Sequence, residues 1–239
     1  MAAAALTTLF LAGNGAATAG PGDNMAATMH FEEAELRQLL EPTDSLQTAS
    51  TNTQPIISIK EAVATGQFAS GPGMTSEPQG CLNMTDALGD LSATLGFMQS
   101  GERSEEAAPG SLQRYFMTAV FQIPGGAEAA IDKVNKVLRT CSAGTITLDT
   151  GAGQPLKGSI SYAEHEAPVL DGARTFASTL TTVLPTTKSA ASNEILTQEC
   201  EAQLTLTANG DLLIWSVEPT ERLATESVTT VYNRALALS

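Results

Sequence analysis

At 239 residues, 42% hydrophobic and 16% charged, the chain carries enough apolar material for a folded domain with a sizeable core and too little charge for a disordered polymer. Its 12 Lys and Arg stand against 26 Asp and Glu, a net charge of −14. The basic residues are scattered without a run. This excludes a phosphate-tracking face for nucleic acid and an electrostatic hold on an anionic membrane surface.

The opening MAAAALTTLFLAGNGAATAG is apolar from Ala2 to Ala12 and then small, and Ala17-Thr18-Ala19 fits the pattern that precedes a signal-peptidase cut. No Lys or Arg comes before Arg37, so the charged start of a usual signal is missing. Residues 1–19 therefore read as an atypical or upstream-extended signal peptide, the alternative being an Ala-rich N-terminal tail, with 20–27 as linker. A lipoprotein would need a cysteine just after the apolar run, and none precedes Cys81. No other segment reaches the roughly 18 apolar residues of a membrane span. The expected mature protein is soluble and exported, with residues 28–239 as its single domain.

Residues 28–40, TMHFEEAELRQLL, predict a short amphipathic helix with Phe31, Ala34, Leu36, Leu39 and Leu40 on its apolar side, stopped by Pro42. From 41 to 80 the Thr, Ser, Gly and Pro content predicts a long surface loop around one apolar island, PIISI. CLNMTDALGDLSATLGF predicts a helix capped by Thr85 or Asp86, with Leu88, Leu91 and Leu95 buried, ending near Gly96. GERSEEAAPGS reads as a solvated turn.

The period then changes. QRYFMTAVFQI alternates as a half-buried strand and ends at Pro124-Gly125-Gly126. The helix AIDKVNKVLRTCSAG, residues 130–144, follows, with Ala130, Ile131, Val134, Val137, Leu138 and Cys141 on one face. TITLD, KGSISYAE and FASTLTTVL read as strands, the last two with Ser and Thr on alternate positions, so one sheet face is expected to be wet. QLTLTANGDLLIWSV predicts a hairpin around Asn209-Gly210. Pro219 and Thr220 open a terminal helix with Ala224, Val228, Val231, Tyr232, Ala235 and Leu238 buried. This order predicts an α+β fold: a single antiparallel sheet with helices packed mainly on one face.

Cys81, Cys141 and Cys200 form no CxxC pair, and His30 and His165 lie far from them in sequence, so neither a metal site nor a cofactor is expected. In an oxidising compartment a disulfide is the natural use. Cys81 with Cys141 is the expected pair, each beside a helix that needs anchoring. Cys200 is left as an unpaired thiol; the alternative pairs it with one of the other two. Closing the 81–141 loop would remove roughly 4 kcal/mol of denatured-chain entropy on the simple model.

For chemistry, ITLDTGAGQP places Asp149 after a strand in the form that retroviral-type aspartic proteases use, where two such carboxyls share a proton. Gly153 and Pro155 depart from that pattern, and there is no second Asp-Thr-Gly, so only a homodimer would complete the dyad. A turn with Asp bonded to nearby backbone is the simpler alternative. Glu164-His165-Glu166 would alternate faces on a strand, which suits a solvated edge better than a metal cluster. Trp215, beside Leu213 and Val217 on its strand face, reads as core, His30 as surface, and Glu32, Glu33, Glu35, Glu102, Glu105 and Glu106 as solvated charge.

AELRQLLEPTDSL, CLNMTDALG, VFQIPGGAEAAIDKVNKVLRTC and GDLLIWSV with its terminal helix together resemble the PknH-like extracellular sensor domains of actinobacteria, over about residues 28–239. The resemblance implies an antiparallel sheet with flanking helices, a large cleft, and binding of an unidentified ligand outside the membrane. It also implies two disulfides, for which this chain has cysteines for only one. The expectation is thus a secreted, non-enzymatic sensor domain of the cell envelope. It would bind a small molecule, lipid or glycan and hand its message to a membrane signalling protein. A structural envelope module that binds other proteins is the rival reading.

Overall fold

The computed structural model describes residues 29–41, 50–68, 73–103, 115–149, 155–185 and 197–239. The signal segment with Ala17 and Ala19, and Thr150 to Gln154 after Asp149, lie outside them.

Among the described residues ten strands form one antiparallel sheet: β1 (Ser50–Thr53), β2 (Ile57–Ser58), β3 (Met74–Glu77), β4 (Leu95–Arg103), β5 (Tyr115–Gln122), β6 (Gly144–Leu148), β7 (Leu156–His165), β8 (Arg174–Pro185), β9 (Thr197–Asn209) and β10 (Leu212–Glu218). Their order is β1-β4-β5-β10-β9-β8-β7-β6-β3, with β2 also on β4. Among the described residues the helices are α1 (Glu33–Gln38), α2 (Ile59–Ala64), α3 (Ala127–Thr140) and α4 (Glu221–Leu238). The chain leaves β5, crosses the sheet as α3, and returns strand by strand from β6 until β10 pairs with β5.

The class is the α+β, single-antiparallel-sheet architecture that the element order predicts. The helical cover is divided between the two faces, where the sequence suggested mainly one. On one face α2 and α3 bury Trp215, Phe121, Leu206, Ile160, Ile131 and Leu138 in the larger core. On the other, α1 and α4 bury Phe31, Leu36, Val120, Ile214, Val231 and Tyr232. This is why β5 and β10 are buried along nearly their whole length instead of half-buried. A strand covered on both faces loses the apolar–polar alternation that marks a wet side.

Several local expectations are corrected. The 41–80 segment contributes β1, β2, α2 and β3 rather than a long loop. The apolar island supplies the reason: Ile57 pairs with Met98 on β4, and Ile59, fully buried, starts a helix capped by the Ser58 hydroxyl. Gly96 on β4 is tied to this packing, since a Cβ there would lie 2.6 Å from the Val120 carbonyl and 2.7 Å from Ile59. The helix expected from Thr85 to Gly96 is two 3-10 turns, Met84–Leu88 and Leu91–Ala93, followed directly by β4. Gly89 at φ 87° breaks the run, and the Asp90 side chain caps the second turn through the Ser92 amide. Ala34 and Leu238 face solvent rather than the core.

The hairpin loop is Gly210-Asp211, one residue later than Asn209-Gly210. Asn209 is drawn into the strand because its side-chain amide donates to the Tyr232 hydroxyl at 2.8 Å. Asp211 is held in the loop by accepting the Gly125 amide on its carboxylate and the Ile123 amide on its carbonyl. Gly210 supplies the positive φ, 58°.

Candidate ligand-binding surfaces

Cys81 and Cys141 are joined, with an S–S distance of 2.06 Å and Cα atoms 5.5 Å apart, and both are fully buried. The bond fastens the C-terminal end of α3 to the segment that follows β3. Since β3 pairs with β6 and β6 follows α3, one covalent link holds the whole far edge of the sheet. The Tyr162 hydroxyl reaches across from β7 and donates to the Cys81 carbonyl at 2.7 Å. Burial pushes that phenol well above the ordinary tyrosine range. Cys200 is a free thiol, partly buried on β9, and burial pushes its pKa up, which disfavours the nucleophilic thiolate.

The alternation predicted for the Ser/Thr strands produces an open floor. On the face opposite α3, β6 presents Thr145 and Thr147, β7 presents Lys157, Ser159, Ser161 and Ala163, and β8 presents Thr179, Thr181 and Val183, all exposed or half-buried. The Thr179 hydroxyl donates to Gln203 on β9 at 2.8 Å. Glu199 and Glu201 share this face and are exposed. α4 forms the wall beside the floor, and at the junction His165 Nδ1 lies 3.8 Å from the Glu221 carboxylate, while its Nε2 is buried without a partner. Tyr162, Phe176 and Trp215 all point to the other face. Among the described residues the floor therefore offers hydroxyl donors and acceptors, the Glu199 and Glu201 carboxylates and one ammonium, Lys157, but no stacking plane and no cluster of cations.

Two cavities lie elsewhere. One of about 420 Å³ opens at the start of α3, where Arg174 is already paired with Asp132, its Nη1 donating to Oδ2 at 3.0 Å, and with the Glu128 carbonyl at 3.4 Å. That pairing holds the Asp132 carboxyl below its ordinary range. The second, about 360 Å³, lies between β3 and residues 79–86.

The remaining candidates stay apart. Asp149 is exposed at the end of β6 with its amide donating to the Gly73 carbonyl, so a single chain gives it none of the burial that a shared proton needs. Glu164 and His165 do point to opposite faces, Glu164 toward Arg139 at 3.9 Å and His165 toward α4. Trp215 is core, 1% exposed. His30 is a surface residue near Gln122 and Asp211. Among the described residues no three His, Cys, Asp or Glu side chains converge on a metal position, and no helix is long and apolar enough to cross a membrane.

The sequence reading missed one buried polar cluster. Arg103, placed in a solvated turn, is 2% exposed and donates through Nε to Glu218 Oε2 at 3.0 Å and through Nη2 to Oε1 at 2.6 Å. The Ser227 hydroxyl of α4 donates to the same carboxylate at 2.6 Å, and the guanidinium stacks 4.1 Å from the Phe116 ring centre. Its partner lies 115 residues away in sequence, and GERSEE looks like any solvated charge run.

These features define a disulfide-stapled α+β domain. The sequence matches no family model and no curated protein. By structure, the chain is similar to the extracellular domain of PknH from Mycobacterium tuberculosis, with a TM-score of 0.52 at 12% identity, over 87% of this chain and 97% of that one. A putative uncharacterized protein from Mycobacterium smegmatis aligns with a TM-score of 0.42 at 13% identity, over 85% of this chain and 96% of that one. The fold is that of a PknH-like sensor domain.

Proposed function

We propose that this chain is an exported, non-enzymatic sensor domain of the cell envelope, binding its ligand on the Ser/Thr floor of β6, β7 and β8 beside α4. The fold shared with an extracellular domain over 87% of the chain carries the reading. The buried disulfide agrees with an oxidising compartment. The chemistry of the floor narrows the ligand class. Short hydroxyls with two carboxylates and the single ammonium of Lys157 suit a neutral or zwitterionic group rich in hydroxyls or amides, such as a glycan or a zwitterionic lipid headgroup. A bare phosphate would meet Glu199 and Glu201. The message would then pass to a membrane signalling protein.

Thermal-shift screening of the full chain against envelope glycans and lipids tests the proposal. Stabilisation by a member of that panel, lost in the Ser161→Leu and Thr181→Leu double variant, is expected. Absence of any stabilisation across the panel contradicts it. Intact mass spectrometry of the natural protein without reductant tests export separately: a trimmed N-terminus and an oxidised pair are expected.

A further inference from the structure

β3 is the outermost strand on its side of the sheet, and its ladder to β6 satisfies only half of its backbone. The Asp149 amide donates to the Gly73 carbonyl at 2.9 Å, which makes these two residues a hydrogen-bonded pair. By the alternation of an antiparallel ladder, Thr75 with Thr147 and Glu77 with Thr145 are pairs of the same kind. Met74 and Ser76 therefore turn their N–H and C=O groups away from β6. Those groups meet no backbone partner among the described residues.

The open edge does not face bulk solvent alone. Along it runs the cavity of about 360 Å³, walled on its far side by Gln79, Leu82, Asn83 and Asp86. That wall is rigid for a covalent reason, because Cys81 within it is bonded to Cys141. Its charge is also defined. Asp86 is exposed and holds the Asn83 amide at 2.6 Å, and Glu77 stands exposed at the end of the strand. Pro78 follows and has no N–H, so pairing along this edge stops at Glu77.

We propose that this edge binds an extended basic peptide, which adds to β3 as a further strand and places a Lys or Arg side chain against Asp86 on the cavity wall. The two outward-facing residues are two positions apart, about 6.6 Å along the strand. They match the repeat at which an extended backbone offers its own N–H and C=O pairs, which is the mode of strand addition to an exposed sheet edge. A basic side chain satisfies the Asp86 carboxylate on the cavity wall, and the net charge of −14 favours its approach. The site lies apart from the Ser/Thr floor and does not depend on the ligand proposed there.

The test uses the full oxidised chain and fluorescein-labelled, end-blocked hexapeptides of alternating threonine and valine, with one lysine at each position in turn or one glutamate in its place. Amide exchange by NMR reads the edge directly. In the free protein the Thr75 and Glu77 amides are expected to be protected and those of Met74 and Ser76 to exchange fast. Saturating lysine peptide should protect Met74 and Ser76. Ser76→Pro removes an outward N–H without touching the ladder to β6 and should weaken binding by at least about tenfold. Asp86→Asn should erase the preference for lysine over glutamate. The proposal is overturned if no lysine peptide binds, or if binding ignores Ser76→Pro. It is equally overturned if Met74 and Ser76 are already protected in the free chain, whether by its own residues or by a second copy. Should Ser76→Pro fail to fold, the exchange pattern of the unaltered protein decides alone.

Discussion

The two halves of the sheet are held together by different physics. Around β4, β5, β10 and β9, helices cover both faces, two apolar cores meet across the strands, and an ion pair is buried beneath α4. Around β8, β7, β6 and β3, among the described residues only the α3 side is covered; the other face is a wet hydroxyl floor, and the edge segment is fastened by one disulfide. A half-sheet with one dry face buries less apolar surface, and at about 25 cal/mol per Å² that deficit is large. A covalent staple offsets it by restricting the unfolded chain instead. The lesson is that an exposed sheet face is tolerated where part of the stability comes from a covalent link.

The strongest blow to the doubly covered half is Glu218→Ala. It leaves the Arg103 guanidinium buried with its carboxylate partner gone and frees the Ser227 hydroxyl. The expected loss is about 3–5 kcal/mol in urea unfolding, far more than a surface ion pair would give. A loss below about 1 kcal/mol would mean that water reaches the pair and that this half is less dry than described.

Replacing Cys81 and Cys141 by Ala is expected to cost about 2–4 kcal/mol, and reductant should reproduce it in the unaltered chain. The damage should be local to β3, β6 and β7. Equal loosening of β5 and β10 would erase the distinction between the halves.

Tyr162→Phe sharpens the same comparison at lower cost. It deletes the hydrogen bond to the Cys81 carbonyl, worth about 1 kcal/mol. It also changes the alkaline limb. The folded phenol titrates above its unfolded value because burial disfavours the phenolate, so the stability linked to it is present below about pH 10 and is lost as pH rises further. The variant should show a shallower decline there in unfolding followed against pH.

Ser161→Ala and Thr181→Ala on the floor should change stability by less than about 0.5 kcal/mol, since both residues are only half-buried. The smallest effect is at the α3 cavity. The Arg174 partnership lowers the Asp132 pKa, so its contribution is present above the ordinary carboxylate range and is lost as pH falls through the folded value. Asp132→Asn should flatten that acid slope slightly.

The pattern of what the sequence disclosed follows from the range of the interactions. α3 and α4 were legible because their apolar stripes are local and periodic: Ile131, Val134 and Leu138 in one, Ala224, Val228 and Val231 in the other. The Ser/Thr alternation of β7 and β8 disclosed the wet floor for the same reason. The two-sided burial of β5 was not legible, because whether a helix lies over Thr118 or Gln122 depends on chain returning from far away. The hairpin slipped by one residue because Asn209 answers to Tyr232, a tertiary partner. Arg103 was hidden most deeply, since its carboxylate comes from the opposite end of the chain and its neighbours are all solvated charge.

The central claim is that the disulfide carries the singly covered half of the sheet while packing carries the other. Residue-resolved amide exchange of the full chain, oxidised and then reduced, tests it most directly. The account predicts that reduction strips protection from Thr75, Thr147, Ile160 and their ladder neighbours while Val120, Leu206 and Ile214 keep theirs. Protection that falls evenly across all of them, or that survives reduction at β3 and β6, would contradict it.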